Sequence, residues 1–176
     1  MEADSEDPPR IVQEAARLVG MITALTIALQ VAVKANPRVA ELHDCIEGLR
    51  QGARADLGNF HGRPGFEGIE IAIRDFERML RGVAGSAERS PANPAILQDP
   101  FDGVRVMVGT ITALQVALKI TVETNPRAGK LRDRLEEMRE AAIAQVIGED
   151  VVDDVFAGID YTMDELDELL PPAAPR

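Results

Sequence analysis

One set of potentially reactive side chains occurs twice at the same spacing: Asp44, Glu47 and Arg50, then Asp133, Glu136 and Arg139. Steps of three place such groups side by side on a helix surface. Two carboxylates held that way can ligate a metal ion or shuttle a proton. The same acid–acid–base series is also an ordinary exposed ladder, each favourable pair contributing about 0.2–0.5 kcal/mol. The ladder is the expectation.

The other reactive residues form no set. A di-iron helical bundle needs Glu-x-x-His pairs, and neither His43 nor His61 has a Glu three residues before it. His43 and Cys45 lie two apart on a helix, so they point to different sides and make a poor zinc pair. His43 also lacks the nearby lysine that would steady a phosphoryl group, and Arg132 stands at its place in the second series. His61, between Phe60 and Gly62 in a turn-rich stretch, reads as a surface residue. Cys45, the only cysteine, cannot form an internal disulfide and reads as a small, partly buried residue in a reducing compartment. There is no G-x-S-x-G and no glycine-rich phosphate loop. No catalytic residue, metal site or cofactor is therefore expected.

The twofold occurrence of that ladder belongs to a larger duplication. Leu18 to Gln51 and Met107 to Glu140 are two versions of one passage. Val19, Gly20, Ile22, Thr23, Ala24 and Leu25 recur as Val108, Gly109, Ile111, Thr112, Ala113 and Leu114, and Asn36-Pro37-Arg38 recurs as Asn125-Pro126-Arg127. Such self-similarity marks a repeated supersecondary unit.

Each copy reads as three helices. The first starts near Asp7-Pro8 or Asp99-Pro100, where Asp can cap and Pro can occupy the first helical position. It ends at Asn36-Pro37 or Asn125-Pro126, because proline disfavours the α conformation before it. The same Asn can cap the second helix, whose apolar stripe is Val39, Leu42, Ile46 and Leu49, or Ala128, Leu131, Leu135 and Met138. The third carries Phe66, Ile69, Ile73, Phe76 and Leu80, answered by Phe156, Ile159, Met163, Leu166 and Leu170. Turn formers fill Gly58 to Gly65, and an acidic loop spans Gly148 to Asp154. Nothing alternates with a period of two, so no sheet is expected.

The first helix of each copy is apolar almost all round, and at about 100° per residue it has three surfaces. One is bulky: Leu18, Ile22, Leu25, Leu29 and Val33, matched by Met107, Ile111, Leu114, Leu118 and Val122. Another is small: Gly20, Ala24, Ala28 and Ala32, matched by Gly109, Ala113, Ala117 and Thr121. Glycine inside a helix costs up to about 1 kcal/mol relative to alanine, so its double occurrence suggests a close backbone crossing. The two long helices are expected to form the buried centre, meeting through the small rows or the bulky stripes. A third, narrow strip is polar: Thr23, Thr26, Gln30 and Lys34, matched by Thr112, Gln115, Lys119 and Glu123 in the second copy. It is either the solvent edge of each central helix or the lining of a ligand cleft between them.

Composition limits what such a body can do. With 45% hydrophobic residues the chain is globular, and with 3% aromatic its interior must be aliphatic. A net charge of -11 argues against nucleic acid, which needs a basic surface, and against anionic lipid. The uncharged run Leu18 to Val33 falls short of the roughly 20 residues of a membrane span. The acidic start MEADSEDPPR does not resemble a secretory signal, so a cytoplasmic location is expected. Between Glu140 and Pro175 there is no Lys or Arg, whereas the matching helix of the first copy has Arg74, Arg78 and Arg81. Opposite potentials of this kind can favour pairing of chains.

These features predict an all-α, six-helix bundle built as one domain from two pseudo-two-fold-related repeats sharing a core. Repeat one covers residues 8–82, a linker 83–98 and repeat two 99–171. The expected function is non-enzymatic: protein contact or oligomerisation, as a homodimer or with another protein. A small-ligand module is the alternative, and a carboxylate metalloprotein a more distant one.

Overall fold

The computed structural model describes residues 10–58, 62–84, 100–146 and 153–172. All regular structure there is helical, and no strand occurs among the described residues. Two long helices, α1 (Arg10–Ala35) and α5 (Pro100–Thr124), carry the duplicated passage. Asp7-Pro8 and Asp99 lie outside the described residues; Pro100 opens α5, where its missing N–H is no loss.

Both long helices end at the Asn-Pro corner in the same manner. The Asn36 Oδ1 accepts the backbone N–H of Arg38 at 2.8 Å, and Asn125 Oδ1 accepts that of Arg127 at 2.9 Å. The side chain thus closes the turn two residues on, and helical structure resumes at Val39 and Ala128 rather than at the proline.

The second helix of each copy is not continuous. In the first it divides into α2 (Val39–Asp44) and α3 (Ile46–Leu57), with Cys45 between them at φ -85° and ψ -9°. In the second a 3₁₀ segment (Ala128–Arg134) leads into α6 (Leu135–Val146). Amides just after a corner have no partner four residues back, and three-residue steps satisfy them instead. Glu41 N bonds Arg38 O at 2.9 Å and Lys130 N bonds Arg127 O at 3.0 Å in this way. The described residues therefore form seven α-helices and a 3₁₀ segment, where the apolar spacing predicts six helices.

The last helices of the copies are α4 (Gly62–Ala84) and α7 (Asp153–Leu169). α4 starts inside the stretch expected to be loop, with Gly62 at φ 55° making the entry turn. Residues 59–61, with His61, and residues 147–152 lie outside the described residues, as do 85–99, which hold most of the expected linker. Ile69, Ile73, Phe76 and Leu80 of α4 are buried, as are Ile159, Met163 and Leu166 of α7 and Leu170 just after it.

The pairing of helices could not be read from the spacing. α1 lies along α5, and the two run in the same direction. Asn36, just past α1, donates to Thr121 O and Thr124 Oγ1 in the last turns of α5. The remaining helices cross over: α4 and α3 pack on α5, while α7 and α6 pack on α1. Glycines make two of these crossings possible. A Cβ at Gly20 would lie 2.0 Å from Val155 O of α7, and one at Gly158 would lie 2.1 Å from Arg17 O of α1. A Cβ at Gly109 would lie 1.9 Å from Gly65 O of α4, and one at Gly68 would lie 2.0 Å from Val106 O of α5. These glycines thus bring each long helix against the last helix of the other copy, not against the other long helix.

By length and composition alone, α1 and residues Gly103–Thr124 of α5 are each apolar enough to cross a membrane. The helices are longer than the 16-residue uncharged run suggests, because tolerated charges extend them at both ends. In the structure, 44% of the most apolar window of each is buried against the rest of the protein. The core helices of soluble proteins share that property.

Candidate functional site

Both the bulky and the small surfaces of the long helices are occupied by packing. Leu18, Leu25, Leu29 and Val33 are buried, and so are Gly20, Ala24, Ala28 and Ala32. In α5, Ile111, Leu114, Leu118 and Val122 are buried together with Gly109, Ala113, Ala117 and Thr121.

A cleft of about 390 Å³ opens where α1, α5 and α7 meet. Its floor is aliphatic: Leu18 and Met21 from α1, Val108 and Ile111 from α5. Glu14, Arg17, Thr112, Gln115 and Tyr161 form the polar rim. The Arg17 guanidinium sits over the Tyr161 ring, 5.4 Å from its centre, an arrangement worth about 0.5–1 kcal/mol at exposed sites. The Tyr161 hydroxyl donates to Glu165 Oε1 at 2.6 Å, and Gln115 Nε2 reaches Glu165 Oε2 at 3.4 Å. The Thr112 hydroxyl is engaged with Val108 O of its own helix at 2.9 Å.

The polar strip enters this cleft from one helix only. Thr112 and Gln115 line it, but Thr23, Thr26 and Gln30 do not, and neither does the exposed Lys119. At about 100° per residue, Thr23, Thr26 and Gln30 lie roughly opposite Glu14, Arg17 and Met21 on α1. Thr23 instead bonds Val19 O of its own helix at 2.9 Å. The residues sequence reasoning missed are Arg17, Tyr161 and Glu165. Arg17 and Tyr161 carry a signal as departures between copies, since Val106 and Ile71 hold the corresponding places, whereas Glu165 is answered by another carboxylate, Asp75.

Its hydrogen bond to Glu165 raises the Tyr161 phenol above its ordinary value of 10.0, and the carboxylate's charge adds to this. A second hollow, about 220 Å³, lies against α1 and α6, lined by Ile27, Val31, Arg134, Glu137, Met138 and Ala141. It gathers one ion-paired arginine with its glutamate and little else, Arg134 Nε lying 2.8 Å from Glu137 Oε2.

The duplicated ladder turns its arginines toward neighbouring helices. Arg50 bridges Glu47 on its own helix and Glu70 of α4, the latter at 3.2 Å, and Arg54 joins Glu70 at 2.9 Å. Arg139 reaches Asp164 at 3.3 Å and Asp160 at 3.6 Å on α7. The Arg50 hydrogen bond, followed by that of Gln51, lowers the Glu47 carboxyl below its usual range. The same bond to Glu47 raises Arg50. Asp44, Asp133 and Glu136 stay exposed. Among the described residues no three His, Cys, Asp or Glu side chains gather so as to hold a metal ion.

Compared with family models, curated proteins and solved structures, the chain matches none.

Proposed function

We propose that this protein is a non-enzymatic helical interaction protein that works as a homodimer through the outer stripe of α1. The observation that carries this reading is the exposure of Val12 and Val19, at 46% and 40%, on one uncharged face. Thr23, Thr26 and Gln30 continue the same stripe, and no charged side chain interrupts it between Val12 and Gln30. A symmetric pair of copies would cover it with itself, residue for residue across a two-fold axis. Scattered exposed valines are ordinary, but two of them aligned on an uncharged helical stripe make a self-complementary strip. The net charge of -11 and the single cysteine support a cytoplasmic setting with a protein partner rather than nucleic acid or a bilayer. Light scattering after size exclusion tests the reading. Two chains per particle are expected, falling to one in Val12→Glu/Val19→Glu with the melting temperature retained. A concentration-independent monomer in the unmodified protein overturns it.

The finer architecture belongs to the same proposal. We infer one domain made of two three-part repeats related by a pseudo-two-fold axis between α1 and α5. Matched contacts support it: Gly20 on α7 parallels Gly109 on α4, and Arg50 with Glu70 parallels Arg139 with Asp160.

A second reading assigns the α1–α5–α7 cleft to a small amphipathic ligand. Its volume lies in the range of ordinary ligand pockets, and an aliphatic floor beneath a polar rim suits such a molecule. The protein has one tyrosine and no tryptophan, so Tyr161 fluorescence reports on the cleft alone. Titration with a medium-chain fatty acid should change that emission saturably; a flat response removes this reading.

A further inference from the structure

Each long helix is covered by the helices of the other half of the chain. α1 lies under α6 and α7, α5 under α3 and α4, and α1 itself lies along α5. Within the first half α1 meets α4 only lightly, and the internal contacts of the second half are mainly those between α6 and its neighbours, the 3₁₀ segment and α7. Among the described residues the four tight glycine approaches, at Gly20, Gly158, Gly68 and Gly109, all join one half to the other. So does the buried Asn36 bond to Thr121, between residues 85 positions apart. A half standing alone would bare both rows of its long helix. For α1 these are Leu25, Leu29 and Val33 on one side and Ala24, Ala28 and Ala32 on the other, all now buried.

We propose that the binding partner of each half is the other half, and that a second copy of this chain can supply either one. Arg10–Ala84 of one copy would then pair with Pro100–Leu169 of another, and the reverse, through surfaces that already fit. No new interface has to form, so closed and exchanged forms differ mainly in chain entropy. The segment 85–99 can span at most about 50 Å fully extended, and a tether of this kind gives an effective concentration on the order of millimolar. Exchange is therefore favoured at millimolar protein, or when chains refold together at high concentration. This does not rest on the α1 stripe proposed above.

The test begins with the folded full chain carrying a specific protease site in place of Ser86–Ser90. After cleavage, the two fragments are expected to stay together at the mass of the whole chain in native mass spectrometry. Unfolding and refolding isotope-labelled with unlabelled cleaved protein should give hybrid pairs in statistical proportion. Gly158→Val in the same background should release the fragments, whereas Gly48→Ala should not, since a Cβ there meets nothing within 4 Å. Uncut chain refolded at high concentration should give a dimer that persists with Val19→Glu, which separates this pairing from one through the α1 stripe. Fragments that part on cleavage and each melt cooperatively alone would overturn the proposal. So would fragments that stay paired but never form hybrids on refolding.

Discussion

Gly109 and Gly65 meet backbone to backbone where α5 crosses α4. A Cβ on Gly109 would stand 1.9 Å from the Gly65 carbonyl oxygen, 2.8 Å from its carbon and 3.1 Å from its Cα. Backbone cannot swing aside as a side chain can, so even alanine must push the two helices apart. Gly109→Ala should cost about 3 kcal/mol or more, beyond its gain in helix propensity. Gly48 is the contrast: it lies in α3 with open space around its Cα, and Gly48→Ala should stabilise by up to about 1 kcal/mol. Thermal melting of the two variants should move in opposite directions, and equal shifts would refute the crossing.

The two corner asparagines should differ in worth. Asn36 Nδ2 donates to Thr121 O at 3.2 Å and Thr124 Oγ1 at 3.1 Å, while the buried Nδ2 of Asn125 has no partner among the described residues. Each Oδ1 makes an equivalent turn-closing bond, so that contribution cancels between them. Asn36→Ala should therefore destabilise more than Asn125→Ala, by about 1 kcal/mol in chemical denaturation. Thr124→Ala should remove part of that difference.

Tyr161 offers a clean titration because it is the only tyrosine. Its hydroxyl donates to Glu165, so ionising it would place an anion beside a carboxylate, and its pKa is raised. A raised value favours the neutral phenol. Its contribution to stability is intact below the unfolded value near pH 10 and is lost as pH rises through the folded one. Absorbance at 295 nm should show a midpoint above 10, and Glu165→Gln should bring it down. An unchanged midpoint would show that this bond does not form in solution.

Arg132 ties the second copy's corner to the end of α7. Its guanidinium donates to Asp167 O at 2.6 Å and Leu170 O at 2.8 Å, and pairs with the Asp167 carboxylate. These carbonyls end a helix and have no partner further along it. Arg132→Ala should cost about 1–3 kcal/mol and raise amide exchange in the last turn of α7 ahead of the rest of the protein.

What the sequence made legible follows from what spacing encodes. Apolar residues at steps of three and four establish that the described chain is helical and which faces of α1 and α5 are hidden. The Asn-Pro-Arg motif marks both corners because proline and a short polar side chain act locally. Spacing does not say which helix covers a hidden face. Gly20 signals a close approach, but nothing near it in sequence names Val155 as the neighbour. The break at Cys45 was likewise invisible, since the apolar period of Leu42, Ile46 and Leu49 runs through it. The cleft is not encoded in what the copies share, because Arg17 and Tyr161 are where they differ.

The reciprocal covering of the long helices also sets a timetable. During synthesis, α1 emerges with its neighbours in the first half but without the helices that shield it. At an ordinary 5–20 residues per second, roughly 7–27 s pass before α6 and α7 have both followed. Through that interval a ribosome-bound chain displays a long greasy helix to the cell. Although the fold is helical, its decisive contacts are distant in sequence, so it should mature late and slowly for its class. Demand for chaperones should consequently be concentrated on the first half of the message.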